Sequence, residues 1–199
     1  DMFDPSRFDP AESRRKYGLS EYRVLMFPGA SRPHKGLEDI LVALDHLNQP
    51  DLRLVIVGGS PYDDYDRQLL ETWGQWVIKI PPVPFWQMPE IVAAAHVVVV
   101  PQRDTVTAQA QFPIKLTEGM SMAKPILATR VGDIPEILGE AGYLVDPESP
   151  DQLADAIDEM FQHWQDAEKR GQELRSRCVT GYSVDAMAPI LADVLKSVS

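Results

Sequence analysis

The sequence predicts an α/β fold: a doubly wound parallel sheet of about six strands with helices on both faces, plus C-terminal helices. Three observations carry this prediction. Short apolar runs alternate along the chain with segments whose apolar residues recur at helical spacing. The run Val97, Val98, Val99, Val100 shows no polar alternation, as expected of a parallel strand covered on both faces. Loops rich in Gly, Pro and Ser leave the first two runs, and in such a sheet ligands bind where loops leave the carboxyl ends of strands.

Residues 1–20, DMFDPSRFDPAESRRKYGLS, are rich in Asp, Pro and Arg and read as a linker ending in a short helical turn stopped near Gly18, with nothing that looks like core. A strand over 23–27 leads into the loop PGASRPHKG and a helix over 37–47 with Leu37, Ile40, Leu41, Leu44 and Leu47 on one face. A second strand over 52–57 ends in Gly58 and Gly59, and is followed by a helix over 65–73 and a third strand over 76–80. The prolines of IPPVPFWQMP remove donors and bias their predecessors to extended shapes, so 80–89 is irregular before a short helix over 90–95. A strand over 96–100, a polar loop over 101–111, a helix over 115–122 and a fifth strand over 125–128 come next. VGDIP reads as a loop and 143–145 as the sixth strand.

Ser149, Pro150, Asp151 and Gln152 form a helix start of the capping-box type, continued by Leu153, Ile157, Met160, Phe161 and Trp164. A final helix over 183–196 carries Val184, Met187, Ile190, Leu191, Val194 and Leu195, with Pro189 predicting a kink or a late start. There is no internal repeat or low-complexity tract.

Composition narrows the function classes. The 199 residues include 30 acidic and 19 basic side chains, a formal charge of -11, which argues against nucleic acid or an anionic membrane as a direct partner of this surface. A phosphate site must then be built locally. One cysteine, Cys178, excludes an internal disulfide and a cysteine-rich zinc site and fits a reducing, cytoplasmic compartment. No run of about 18 apolar residues and no signal-like opening segment is evident. The first residue is Asp rather than Met, consistent with a piece of a longer protein.

The chemistry concentrates in FPIKLTEGM, residues 112–120, and the following SMAKPILATRVGDIPEIL. Glu118 is read as sitting where a helix begins, just after the most apolar strand. Helix N-terminal N–H groups at the carboxyl edge of a sheet make an anion or diol site. His46, His96 and His163 are scattered without metal-ligand spacing, and His34 reads as a solvated loop residue. Asp63 with Asp64 is the nearest acidic pair and lacks a third ligand, so no metal is expected. No GxGxxG follows the first strand, which weakens a nicotinamide-binding reading.

The pieces FPGASRPHKGLEDILVAL, LRLVIVGG, MPEIVAAAHVVVVP, FPIKLTEGMSMAKPILATRVGDIPEIL and GYLVDPESPDQLADAI occur in that order over about residues 22–160. With them the chain resembles the C-terminal, donor-nucleotide-binding domain of family 4 retaining glycosyltransferases of the two-domain GT-B fold. The resemblance implies a Rossmann-like domain over 21–182, with 1–20 as interdomain hinge and 183–199 as the helix crossing back to an N-terminal domain. That absent domain would hold the acceptor and make any membrane contact. The resemblance implies a nucleotide-diphosphate sugar as donor and no requirement for a cofactor or metal.

Residue by residue, the resemblance puts Arg32 and Lys35 on the donor diphosphate, where they stabilise the leaving group. Gly29, Gly58 and Gly59 let backbone approach the donor, Ile114 and Lys115 bring N–H groups to the phosphate, and Glu118 binds the ribose diol. Phe85 and Trp86 are read as sheltering the nucleobase, packing on the absent domain, or serving plain core or surface packing. The catalytic base is not assigned. The pattern breaks eight residues before Glu118, where the family's first glutamate, which contacts the donor sugar, is replaced by Ala110, flanked by Gln109 and Gln111. That departure keeps alive a non-catalytic nucleotide-sugar-binding module, and a sugar-nucleotide epimerase or phosphorylase on the same fold is the other alternative.

Overall fold

β-Branched and aliphatic side chains pack well on a pleated surface, and six short stretches rich in them form the sheet of this computed structural model, which describes residues 2–60 and 62–197. The strands are β1 (Arg23–Pro28), β2 (Leu52–Val57), β3 (Val77–Ile80), β4 (Val97–Val100), β5 (Ile126–Thr129) and β6 (Tyr143–Val145). The helices are α1 (Pro10–Lys16), α2 (Leu37–Leu47), α3 (Asp64–Trp73), α4 (Met88–Ala94), α5 (Val106–Gln109), α6 (Ile114–Ser121), α7 (Ile134–Leu138), α8 (Pro150–Gln162), α9 (Trp164–Gly181) and α10 (Val184–Ser197). Residues 1, 198 and 199, the outer ends of the expected hinge and crossing helix, lie outside the described residues.

All strand pairs are parallel, in the order β3-β2-β1-β4-β5-β6. The chain therefore winds one way from β1 to β3 and the other way from β4 to β6. The reversal falls between β1 and β4, which pair Leu25 with Val97 and Met26 with Val98, and a crevice opens at their carboxyl ends.

Period-2 alternation splits β1 between two cores. Val24 and Met26 join Val98 and Val100 under α4, α6 and α9, where Ile91, Leu116, Met120 and Leu174 are buried. Leu25 and Phe27 join Val97 and Val99 under α2 and α8, where Ile40, Leu41, Leu44 and Ile157 are buried. Helices thus cover both faces, as the sequence predicts.

Several local expectations are corrected. The first twenty residues contribute to the core: Leu19 is fully buried, and Phe3, Phe8 and Tyr17 pack against the same cluster. Asp9 caps α1 by accepting from Ala11 N and Glu12 N, so the helical turn expected before Gly18 is a seven-residue helix. The loop over 101–111 contains α5, capped by Thr105, and VGDIP runs into α7. Helix α9 was not foreseen, because its buried positions are mostly small: Ala167, Gly171, Leu174 and Cys178. The capping box at α8 does not form. Ser149 Oγ donates to Pro147 O, and Gln152 instead accepts from Asp146 N at 2.9 Å.

His96 opens β4 from just outside it. Its backbone N donates to Val24 O, and its Nδ1 accepts from Val24 N, both at 3.0 Å. Burial pushes its pKa down to about 4, which keeps the ring neutral and Nδ1 able to accept.

Helix α10 starts at Val184, ahead of Pro189, and buries no residue. Val184, Met187, Ile190, Leu191, Val194 and Leu195 are all exposed. Contrary to the expectation of no such run, 164–197 is long and apolar enough, by length and composition, to match a membrane span. The run is broken after α9 ends at Gly181, by Tyr182 and Ser183.

Candidate functional site

Three loops meet at the crevice between β1 and β4. The first follows β1, and its path is fixed by Gly29, whose N–H donates to Val57 O at 2.9 Å, and by Gly36 at φ 67°. A Cβ on Gly36 would lie 1.9 Å from Pro101 O, so the loop is pressed directly on the end of β4. Arg103 secures that contact. Its guanidinium donates to both Asp39 oxygens and to Glu38, at 2.9–3.2 Å, which holds the guanidinium's pKa above its usual value. Arg103 was missed by sequence reasoning, since its partners lie 64 and 65 residues away.

The second loop follows β2, where Gly58 N donates to Ile80 O and Gly58 packs against the Gly29 backbone. The third runs from α5 into α6. Helix α6 is entered through Pro113, and no side chain caps it, so the N–H groups of Ile114 and Lys115 lack an intrahelical acceptor. Glu118 does not begin this helix but is its fifth residue, a correction to the sequence reading. A helical side chain leans toward the N-terminus, so the carboxylate still serves the crevice. Glu118 lines a cavity of about 370 Å³ together with Pro28, Phe85, Gln111, Pro113 and Lys115.

Lys115 is not a solvated cation. Its Nζ lies 4.9 Å from the centroid of the buried Phe27 ring, and its Cε would touch a Cβ on Gly29 at 3.4 Å. Burial and then the Lys35 charge push its pKa down to about 8, while Glu118 pulls it back up. Lys35 is 7% exposed, donates from Nζ to Gln111 Oε1, and has its pKa lowered by burial. The Glu118 carboxyl is shifted upward by burial, against the Lys115 charge. Among the described residues nothing donates a hydrogen bond to it. His34 faces the same charge: burial, then Lys35, Lys115 and Arg32, lower its pKa.

The structure thus brings Lys115 and Glu118 to one crevice with the Ile114 side chain exposed at its rim, Gly29 against the Lys115 side chain, Lys35 bonded to Gln111 of the lining, and Gly58 packed beside Gly29. Arg32 and Gly59 are placed differently. Arg32 Nη1 donates to Asp63 Oδ2 and to Ser31 O, each at 2.7 Å. Gly59 covers a buried pair, Asp66 with Lys79 at 2.8 Å. Ala110 is exposed at the end of α5 and offers no polar group, while Gln109 turns away to Asp104. Trp86 and Phe85 are 69% and 55% exposed, so neither is core. Among the described residues no three His, Cys, Asp or Glu side chains converge as a metal site.

Chemically, two desolvated lysines beside uncapped helix N–H groups favour a polyanion such as a diphosphate. An unpartnered carboxylate accepts from adjacent hydroxyls such as a ribose diol.

The chain is similar to several known proteins. A mannosyltransferase of Mycobacterium tuberculosis, described as GDP-mannose-dependent alpha-(1-6)-phosphatidylinositol monomannoside mannosyltransferase, is 28% identical over 204 residues, covering 98% of this chain and 53% of its own length. The D-inositol 3-phosphate glycosyltransferase of Acidothermus cellulolyticus is 34% identical over 166 residues, covering 75% of this chain and 36% of its own length. The chain therefore spans about half, or less, of the length of these relatives. Among solved structures, Anabaena Alr3699/HepE in complex with UDP and glucose superposes with a TM-score of 0.84 over 98% of this chain and 54% of its own, at 21% identity. The C-terminal domain of a group 1 family glycosyl transferase from Francisella tularensis superposes with a TM-score of 0.77 over 92% of this chain and 97% of its own, at 23% identity. At these identities the superpositions speak for the fold alone. The model of the family described as glycosyl transferases group 1 matches residues 22–163, all six strands of the sheet and every loop of the crevice, and the chain belongs to that family.

Proposed function

We propose that this chain is the donor-binding half of a retaining glycosyltransferase, which takes a sugar from a nucleotide-diphosphate sugar and passes it to an acceptor held by an N-terminal domain outside this sequence. The observation that carries the reading is the convergence of Lys35, Lys115 and Glu118 at the β1/β4 switch point, one buried cation, one half-buried cation and an unpartnered carboxylate. The cations neutralise the diphosphate as it leaves, and the partial burial of their side chains strengthens each interaction. Glu118 holds the ribose. Residues 1–20 serve as the hinge, and the exposed apolar face of α10 packs on the missing domain. Catalysis needs that domain, so this chain alone binds donor but scarcely turns it over.

No divalent ion is needed in this scheme, since lysines and N–H groups take its electrostatic role. The nucleobase, the sugar and the acceptor are left open by the site. Ala110 favours one second reading, a binding module without transfer activity, because the sugar contact expected of a carboxylate there is absent.

A thermal-shift panel of GDP, UDP, ADP and TDP, each with and without EDTA, tests the reading. A bound diphosphate at about 100 times its Kd is expected to stabilise the chain by about 2.7 kcal/mol, unchanged by chelation. No stabilisation by any of the four sinks the donor site. Stabilisation that disappears with EDTA and returns with magnesium sinks the metal-free scheme.

A further inference from the structure

Arg32 presents a half-used guanidinium. Its Nη1 carries both protein contacts, to Asp63 Oδ2 and Ser31 O at 2.7 Å. Nε and Nη2 have no partner among the described residues. They form the edge that matches two oxygens of a phosphate side by side. The backbone beneath is fixed as well, because Arg32 O accepts from Lys35 N at 2.9 Å and Ser31 is fully buried.

Asp63 is anchored independently of Arg32. As the N-cap of α3, its Oδ1 accepts from Tyr65 N at 3.1 Å and Asp66 N at 3.3 Å, leaving Oδ2 for the guanidinium. Helix α3 has ten residues, and its N-terminus offsets part of the Asp63 charge. Without such a partner, a side chain 48% exposed would sample many rotamers and lose that freedom on binding.

We propose that Asp63 is a positioning residue for Arg32: by holding Nη1 from the cap of α3, it presents the Nε/Nη2 edge ready for a donor diphosphate. The inference rests on the donor-site reading above and deepens it, extending the site to the loop after β2. In a merely structural role, as helix cap, Asp63 would affect all ligands alike. As a competitor for Arg32, it would weaken phosphate binding.

The test is calorimetric titration of this chain with GDP, UDP and ADP and with guanosine, uridine and adenosine. Asp63→Asn keeps the capping oxygen and turns the atom facing Arg32 from acceptor to donor. Asp63→Ser also keeps a capping hydroxyl but cannot reach Arg32, and serves as a second variant should the first fold poorly. Each is expected to weaken the tightest-binding diphosphate about tenfold, to leave its nucleoside within about twofold, and to change nothing further in an Arg32→Ala background. The proposal is overturned by unchanged or tighter diphosphate binding, by equal loss for the nucleoside, or by the same loss without Arg32. If Arg32→Ala has no effect while Lys35→Ala weakens the diphosphate, the donor site stands and the role of Asp63 falls. If no diphosphate binds the wild-type chain, both fall.

Discussion

Replacing Lys35 and Lys115 together by alanine is expected to remove nearly all preference of this chain for a nucleoside diphosphate over its nucleoside. Each lysine is desolvated and neither has a carboxylate bonded to it, so a bound diphosphate supplies the missing counter-charge. One charge-assisted hydrogen bond contributes about 1.5 to 3 kcal/mol, which makes either single change worth roughly 10- to 150-fold in diphosphate affinity. The pair repels across the crevice, so the double change should fall short of the sum. Titration against pH separates charge from packing. The Lys115 pKa near 8 means that the free site loses a cation as pH rises through that value, so diphosphate affinity should fall above about pH 8. Lys115→Ala should flatten that decline. Stability of the unliganded chain has the opposite slope: the folded-state pKa lies below the ordinary 10.5, the unfolded chain binds more protons between them, and stability from this group rises from about pH 8 to 10.5. Diphosphate affinity independent of pH and of both substitutions would contradict the assignment.

Gly36→Ala is expected to be the most destabilising single substitution on the site's loops. At φ 67° a Cβ is strained, and here it would also lie 1.9 Å from Pro101 O, a backbone atom at the end of β4. Pro101 cannot yield freely, because Arg103 two residues on is tied to Asp39, Glu38 and the His34 carbonyl. Strain and clash together place the loss in the exceptional class, about 4 kcal/mol or more. Gly18→Ala supplies the control. Gly18 has φ 69° but nothing within 4 Å of an added Cβ, so only the conformational cost of about 1 kcal/mol remains. Urea unfolding of the two variants measures the difference. Equal losses would show that the contact between the first loop and β4 is not what fixes Gly36.

The fold was legible because its strands are extreme in composition. Four consecutive valines in β4 and the alternation of apolar runs with helical spacing left few arrangements for a chain of this length. What stayed hidden depends on contacts distant in sequence. Nothing local distinguishes Lys115 from a solvated lysine until Phe27, almost ninety positions earlier, is placed beneath it. The Arg32–Asp63 pair joins residues 31 apart, with α2 and β2 between them. Helix α9 hides because closely packed small residues weaken the apolar periodicity: a Cβ on Gly171 would meet Ala123 O at 2.4 Å. Glu118 was placed one turn too early, although its role as crevice carboxylate did not depend on that detail. At Ser149 the capping-box pattern was present, but ψ 75° there accompanies a hydroxyl bonded to Pro147 O instead.

If Glu118 reads a ribose diol at the switch point, a thermodynamic cycle on this one side chain reveals it. Wild type and Glu118→Gln are each titrated with the preferred ribonucleoside diphosphate and with its 2′,3′-dideoxy analogue. As the fifth residue of α6, Glu118 lies beyond the first turn, where a carboxylate complements the helix dipole best. The substitution keeps the shape but removes the charge and one acceptor, so the ribonucleotide should lose about 1.5 to 3 kcal/mol and the dideoxy analogue almost nothing. A coupling energy near zero, with both proteins folded, would contradict the claim and remove Glu118 from the site.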